Sequence, residues 1–189
     1  MLSALEDAVI DRLGELRVKL PRIELRSYGG ELSDNDLLTE VLKAGTAVLV
    51  TVPKAKFTRQ SAKRFQIDAT VRLVIASRQS RSEAATRHGT TAGGTGTYAL
   101  WEGCLNLLAN FVPLGESGLM TPTEYNSLVN GKDQADYLSV VGQSFDVTST
   151  WSPPEPADGP LKGVRLDYYL QPDDGVADAS DSVEFPASP

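Results

Sequence analysis

The sequence predicts an α+β fold, with an antiparallel (mixed) β-sheet flanked by about two to three helices. Three observations point there. Residues 66–77, QIDATVRLVIAS, place Ile67, Ala69, Val71, Leu73 and Ile75 on alternate positions, with Asp68, Thr70 and Arg72 between them. That is the period of a strand with one buried and one wet face. Two further stretches, around Leu2 to Leu20 and around Tyr98 to Phe111, repeat apolar residues every three or four positions, the period of a helix packed on one side. The elements follow in the order helix, strand, helix, strands, helix, strands, which suits helices laid against a sheet.

In the first helix Leu2, Leu5, Val9, Leu13, Leu16 and Leu20 form the apolar stripe, and Pro21 stops it. Ser3 and Glu6 have the spacing of a capping box. Ile23 and Leu25 mark a short strand over 22–27, and Tyr28-Gly29-Gly30 turns the chain. Ser33 and Asp36 offer a second cap, followed by Leu37, Leu38, Val41 and Leu42, a short helix ending near Gly45. Residues 46–52, TAVLVTV, are β-branched and apolar, a buried strand that Pro53 ends. Residues 54–65 then read as a basic loop or hairpin connection.

The alternating stretch 66–77 is the expected central strand. Its alternation fills in at Val74-Ile75-Ala76, as expected where both faces are covered. After it comes a long polar, Gly/Thr-rich connection over 78–96; loops of that length are usually functional or order on binding. The helix from Thr97 to Asn110 presents Tyr98, Trp101, Leu105, Leu108 and Phe111, with Cys104 beside them. Residues 119–129 are ambiguous, with Pro122 arguing for an edge strand. Asn130-Gly131-Lys132-Asp133 reads as a turn, 137–151 as a long strand with a bulge at Gly142, and Val164, Leu166, Tyr168 and Leu170 as a last strand. The expected organisation is a single domain over 1–170 and an acidic, Pro-containing tail over 171–189, too polar to fold alone. That tail is expected to be disordered or docked on a neighbouring subunit.

With 189 residues the chain supports one domain with a real core. No apolar run is long enough to span a membrane, and the acidic, amphipathic start lacks the layout of a signal peptide. The net charge is −7, yet the charges are segregated. Lys54, Lys56, Arg59, Lys63, Arg64, Arg72, Arg78, Arg81 and Arg87 face only Asp68 and Glu83 within 54–87, whereas every charged residue after Gln171 is acidic. Such opposed regions suit pairing between copies or with a partner.

Chemistry is sparsely represented. His88 is the only histidine and Cys104 the only cysteine, so a zinc site or a Ser-His-Asp arrangement is not expected. Cys104 reads as a small buried hydrophobe. Gly93-Gly94-Thr95-Gly96 precedes a helix but lacks the GK[ST] of a Walker loop, and reads as a flexible linker. The carboxylates show no paired acid–base constellation. The basic stretch matches no nucleic-acid motif, so sequence-specific binding is not expected. The expectation is a non-enzymatic protein without catalytic residues, metal or cofactor.

Several segments in order, LEDAVIDRLGEL, ELRSYGGELSD, TAVLVTV, and VRLVIASRQSRSEAATRHG followed by GTYALWEGCLNLLAN, resemble the Mu-like bacteriophage and prophage tail-completion proteins, a tail-terminator family. The resemblance covers about residues 4 to 170, and its most specific piece is RSEAATRHG joined to a helix. It implies a structural virion protein that forms a ring, commonly a homohexamer, at the head-proximal end of the tail. The ring caps the tail tube, ends its polymerisation and offers the head–tail joining surface. Its partners would be other copies of itself, the tail tube protein, the head–tail connector protein and, in a contractile tail, the sheath protein. Genome DNA would pass through the ring without sequence-specific contact. The implied location is the virion, with the host cytoplasm during assembly. The residues expected at the subunit or tube interface are Lys54, Lys56, Arg59, Lys63, Arg64, Arg78, Arg81 and Arg87. The alternative readings are a head–tail connector or stopper, a small enzyme using His88, and a nucleic-acid-binding module.

Overall fold

The computed structural model describes residues 1–30, 40–41, 45–79, 82–90, 94–115, 117–133, 136–154, 163–168 and 179–184. The chain divides into two compact units, Met1–Ser152 and Pro153–Pro189.

The first unit is built on a five-stranded mixed sheet in the order β1-β2-β3-β5-β4. The strands are β1 (Glu24–Ser27), β2 (Thr46–Ser61), β3 (Arg64–Gln79), β4 (Thr121–Asp133) and β5 (Asp136–Trp151). β1 runs parallel to β2 and every other neighbour is antiparallel. β3, the expected central strand, is the middle one. The helices whose bounds fall within the described residues are α1 (Leu2–Leu13), α2 (Glu83–His88) and α3 (Thr97–Leu108).

The period-2 pattern of β3 decides where the core lies. Ile67, Ala69, Val71, Leu73 and Ile75 point to one face, where Leu5, Val9 and Leu13 of α1 and Leu100, Cys104 and Leu108 of α3 cover them. The even positions Val74 and Ala76 point to the other face and meet Val41, Ala47, Leu49, Leu138 and Val140. The filled-in alternation at 74–76 thus marks the end of the sheet that is covered on both sides.

Local signals differ from the outcome at several points. Ser3 does not cap α1, which starts at Leu2 without a side-chain cap; its hydroxyl donates instead to Asp7 Oδ2 at 3.3 Å. α1 gives way at Gly14 to a 3-10 turn over Gly14–Val18, so the stripe continues to Leu16 and Leu20 on a tighter coil. The buried stripe of α3 is Leu100, Cys104 and Leu108, one position round from the expected Tyr98 and Trp101; Tyr98 is exposed. The expected helix from Ser33 lies outside the described residues except for Glu40 and Val41, which are helical.

The basic loop expected over 54–65 is strand for all but residues 62–63, because β2 runs on to Ser61 and β3 begins at Arg64. Pro53 does not end β2. It sits in a one-residue bulge between Thr51 and Lys54, where a missing ladder donor is tolerated. The Asn130-Gly131-Lys132-Asp133 turn is likewise strand, held by the long ladder to β5 that closes at Asp133↔Asp136. Gly142 is not a bulge: β3 and β5 pair without a shift, and the irregularities lie in edge strand β4. A Cβ at Gly142 would meet the Arg72 guanidinium at 3.1 Å, so the glycine makes room for that side chain.

In the second unit β6 (Gly163–Tyr168) pairs antiparallel with β7 (Ala179–Glu184). The boundary therefore falls after Ser152 rather than after Leu170, and part of the acidic tail, 179–184, is a strand. The Val164↔Val183 pairing gives the described part of that tail a strand partner within the chain, so it is not wholly disordered.

Candidate assembly surface

β2, β3 and β5 are each 16 residues long, and their helix-covered part is shorter. The three strands run on past the bulge as a blade formed by 54–61, 64–70 and 146–151, whose base is still covered at Ile67, Ala69 and Val147 and whose tip outruns the helices. Eight strand residues past the bulge correspond to roughly 26 Å of rise.

The bulge sets which side chains each blade face carries. Before it, Val48 and Val50 face the helices. After it, Ala55 and Phe57 take that side, opposite Ala69 and Ile67. Lys54 and Lys56 are sent to the open face, opposite Thr70 and Asp68. A one-residue slip inverts every later side chain, so the extra residue keeps the lysines out of the core. The bulge is held from α1. Val52 N–H, displaced from the regular ladder, donates to Glu6 Oε1 at 3.1 Å, and Ser27 Oγ donates to Glu6 Oε2 at 2.9 Å.

On the open face the blade is a polar ladder. Thr70 Oγ1 donates to Asp146 Oδ1 at 2.9 Å, Thr148 Oγ1 to Asp68 Oδ1 at 3.0 Å, and Gln66 Nε2 to the same Asp68 oxygen at 2.8 Å. Lys54 and Lys56 border these groups around a shallow hollow of about 330 Å³. On the helix side the tip carries aromatic residues: the Phe65 and Trp151 rings lie 5.7 Å apart, with Phe57 nearby on the same face. Phe57 is 55% exposed and Trp151 39%. The sequence signal for this patch was the parity change itself, with apolar positions 48, 50 and 52 followed by 55 and 57.

The eight residues expected at an interface do not converge. Lys54, Lys56, Arg59, Lys63 and Arg64 occupy the blade, with Lys63 in the turn and Arg59 on the aromatic face opposite Phe65. Arg78 lies near the far end of β3, some 46 Å from Arg64 at the usual strand rise. Its backbone N–H donates to Gly45 O at 2.8 Å. Arg87 belongs to α2, where it pairs with Glu83 at 3.5 Å. Arg81 lies outside the described residues.

The connection over 78–96 is less loop-like than its composition suggests. Ser82 caps α2 by accepting from Ala85 N–H, and Ala85 and Thr86 are buried. The described part of the glycine segment, 94–96, is tightly packed rather than a flexible linker. Thr90 N–H donates to Gly94 O at 2.8 Å, and a Cβ on Gly96 would strike the backbone at Gly89 and Arg87. Thr97 Oγ1 donates to Thr86 O at 3.0 Å, fixing α3 to α2. His88 stacks edge-on against Tyr98 at 5.2 Å. Beside them Tyr125 meets Trp101 at 5.4 Å, and burial together with the nearby Tyr98 raises its phenol, with Arg87 opposing. Burial also pushes the Cys104 thiol up to about 12. Among the described residues, no three His, Cys, Asp or Glu side chains gather as a metal site.

No curated protein matches the chain. The family described as Bacteriophage Mu, Gp37 matches residues 1–150, which is nearly the whole of the first unit and ends one residue before the end of β5. The chain therefore belongs to the Bacteriophage Mu Gp37 family, a bacteriophage protein family.

Proposed function

We propose that this protein is a structural component of the virion, a tail terminator whose copies form a ring on the head-proximal end of the tail tube. The ring stops tube growth and presents the surface to which the head connector joins. Membership of a phage family and the resemblance of ordered segments to tail-completion proteins support this reading. The structural observation that carries it is the blade: three long strands that outrun their helical cover and end in basic and aromatic side chains. A closed ring needs two different complementary patches on each subunit, one on each flank. The blade supplies one, and the acidic second unit supplies chemistry of the opposite sign.

The reading involves no bond-making step, so the protein is proposed to act by shape and charge rather than as an enzyme. His88 packs edge-on against Tyr98. The decisive experiment adds purified protein to polymerising tail tube protein and images the tubes by electron microscopy. A ring at one tube end, with growth arrested there, is expected. Tubes that grow uncapped and to unchanged length overturn the terminator role, and density at the connector instead of the tube end would assign the protein to the connector.

A further inference from the structure

We infer that the outer edge of β2 beyond its bulge, residues 54–61, receives the C-terminal β6–β7 ribbon of a second copy of this chain. The inference rests on the ring proposed above and names the contact that would close it.

The receiving edge is open. β1 pairs only with 47–50 of β2, so beyond the bulge the backbone groups on that side meet no strand among the described residues. An exposed edge of this length templates further strands unless something covers it. Lys54, Lys56 and Arg59 line it, followed by Lys63 and Arg64 at the turn, and 54–64 contains no acid.

The ribbon has the complementary needs. Register places Val164, Leu166 and Tyr168 with Val183, Asp181 and Ala179 on one, mainly apolar, face, and Arg165, Asp167, Ser180 and Ser182 on the other. The apolar face is uncovered: Val164 is 40% exposed, Leu166 50%, Tyr168 50% and Val183 48%. A lone two-stranded ribbon is at best marginally stable in water, so this one requires further strands or a surface. Joined to the β2 edge, it would extend the blade into a five-stranded sheet and carry its apolar face alongside the Phe57, Phe65 and Trp151 side. This is strand addition, in which main-chain hydrogen bonds give affinity and side chains give selection.

Charge selects the partner. Pro153–Pro189 holds eight acids against two basic residues, so this unit carries nearly all of the chain's net −7. The most acidic segment of the molecule and an acid-free basic edge are present on every copy, as a head-to-tail contact requires.

The test uses full-length protein. Heavy-nitrogen-labelled and unlabelled chains are mixed, treated with a carbodiimide that joins a lysine amine to a touching carboxylate, and digested. Mixed-isotope peptides linking Lys54 or Lys56 to Asp167 or Glu184, which share the ribbon's other face, are expected. In sedimentation, Lys54→Glu with Arg59→Glu should weaken self-association by about tenfold or more, and adding Asp181→Lys with Glu184→Lys should restore it. Lys56 is left unchanged because it faces Asp68 across the ladder. Oligomers that form without mixed-isotope links and are indifferent to the charge reversals overturn the docking but leave the ring standing. A wild-type chain that stays monomeric on tail tubes removes both. Links confined to chains of one isotope would place the ribbon on its own subunit and also overturn the inference.

Discussion

Single residues carry more of the structure than their types suggest. Glu6 accepts from Val52 N–H and from Ser27 Oγ, tying α1 to the end of β1 and to the bulge of β2. Glu6→Ala leaves a part-buried backbone donor unpaired and should cost about 1–3 kcal/mol, read as a lower urea midpoint at unchanged slope. Glu6→Gln should recover part of that, since one oxygen still accepts. Gly96 has no room for a Cβ against the Gly89 and Arg87 backbones, and Gly96→Ala should cost roughly 3 kcal/mol or more. Gly14 is the contrast: it is right-handed helical with open space around it, so Gly14→Ala should raise the melting temperature slightly, by about 0.5–1 kcal/mol of stability. Cys104 tests burial through pH. Its folded thiol lies at about 12, above the unfolded value, so its contribution is fully present below about pH 9 and is lost as pH rises towards 12. Stability should therefore fall by about 1.4 kcal/mol per pH unit in that window from this group alone. Cys104→Ala, less stable at neutral pH for its cavity, should lose that component of the slope.

Among the elements, the β2 bulge has the widest consequences. Deleting Pro53 would remove the extra residue, turn Lys54 and Lys56 towards the helices, and put Phe57 on the open face. The variant should be insoluble or unfolded by circular dichroism; a soluble protein with wild-type melting would show that the register tolerates the slip. The parity change was present in the sequence, but proline after a β-branched run is also the ordinary sign of a strand's end. Which applied depended on β3 and β5 being long enough to pair with the continuation, a non-local fact. β3 itself was readable because both of its faces are written in its own residues, at 67–75 and at 74–76. The Asn130-Gly131 signal failed for the reason Pro53 did: ladder pairing along β5 outweighed local turn preference. α2 was hidden because Ser82, Glu83, Thr86 and Arg87 look polar, and only contact with α3 and β5 shows that Ala85 and Thr86 are buried.

At the scale of the whole molecule the sequence showed that charge is segregated but not how far apart the basic residues lie, since a strand spreads neighbours that a helix or loop would gather. Arg64 and Arg78 mark opposite ends of β3, so one basic cluster in the sequence becomes a blade and a separate body site. The architecture also predicts where the fold is least protected in isolation. Among the described residues β3 is paired on both sides along its length, while β2 beyond the bulge and each strand of the β6–β7 ribbon have one strand neighbour. Local opening free energies follow such differences. In dilute protein, amide hydrogen exchange should be slowest in 67–76 and fastest in 163–168 and 179–184, with 54–61 exchanging ahead of its partner strand. If copies meet through these exposed edges, protection at 54–61 and in the ribbon should rise together with concentration, and 67–76 should stay unchanged. Added salt should reverse that rise, because the attraction joins solvent-exposed opposite charges whose interaction is screened within about 10 Å at 0.1 M. Protection that is independent of concentration and salt would mean that each subunit covers its own edges, and that assembly uses some other part of the surface.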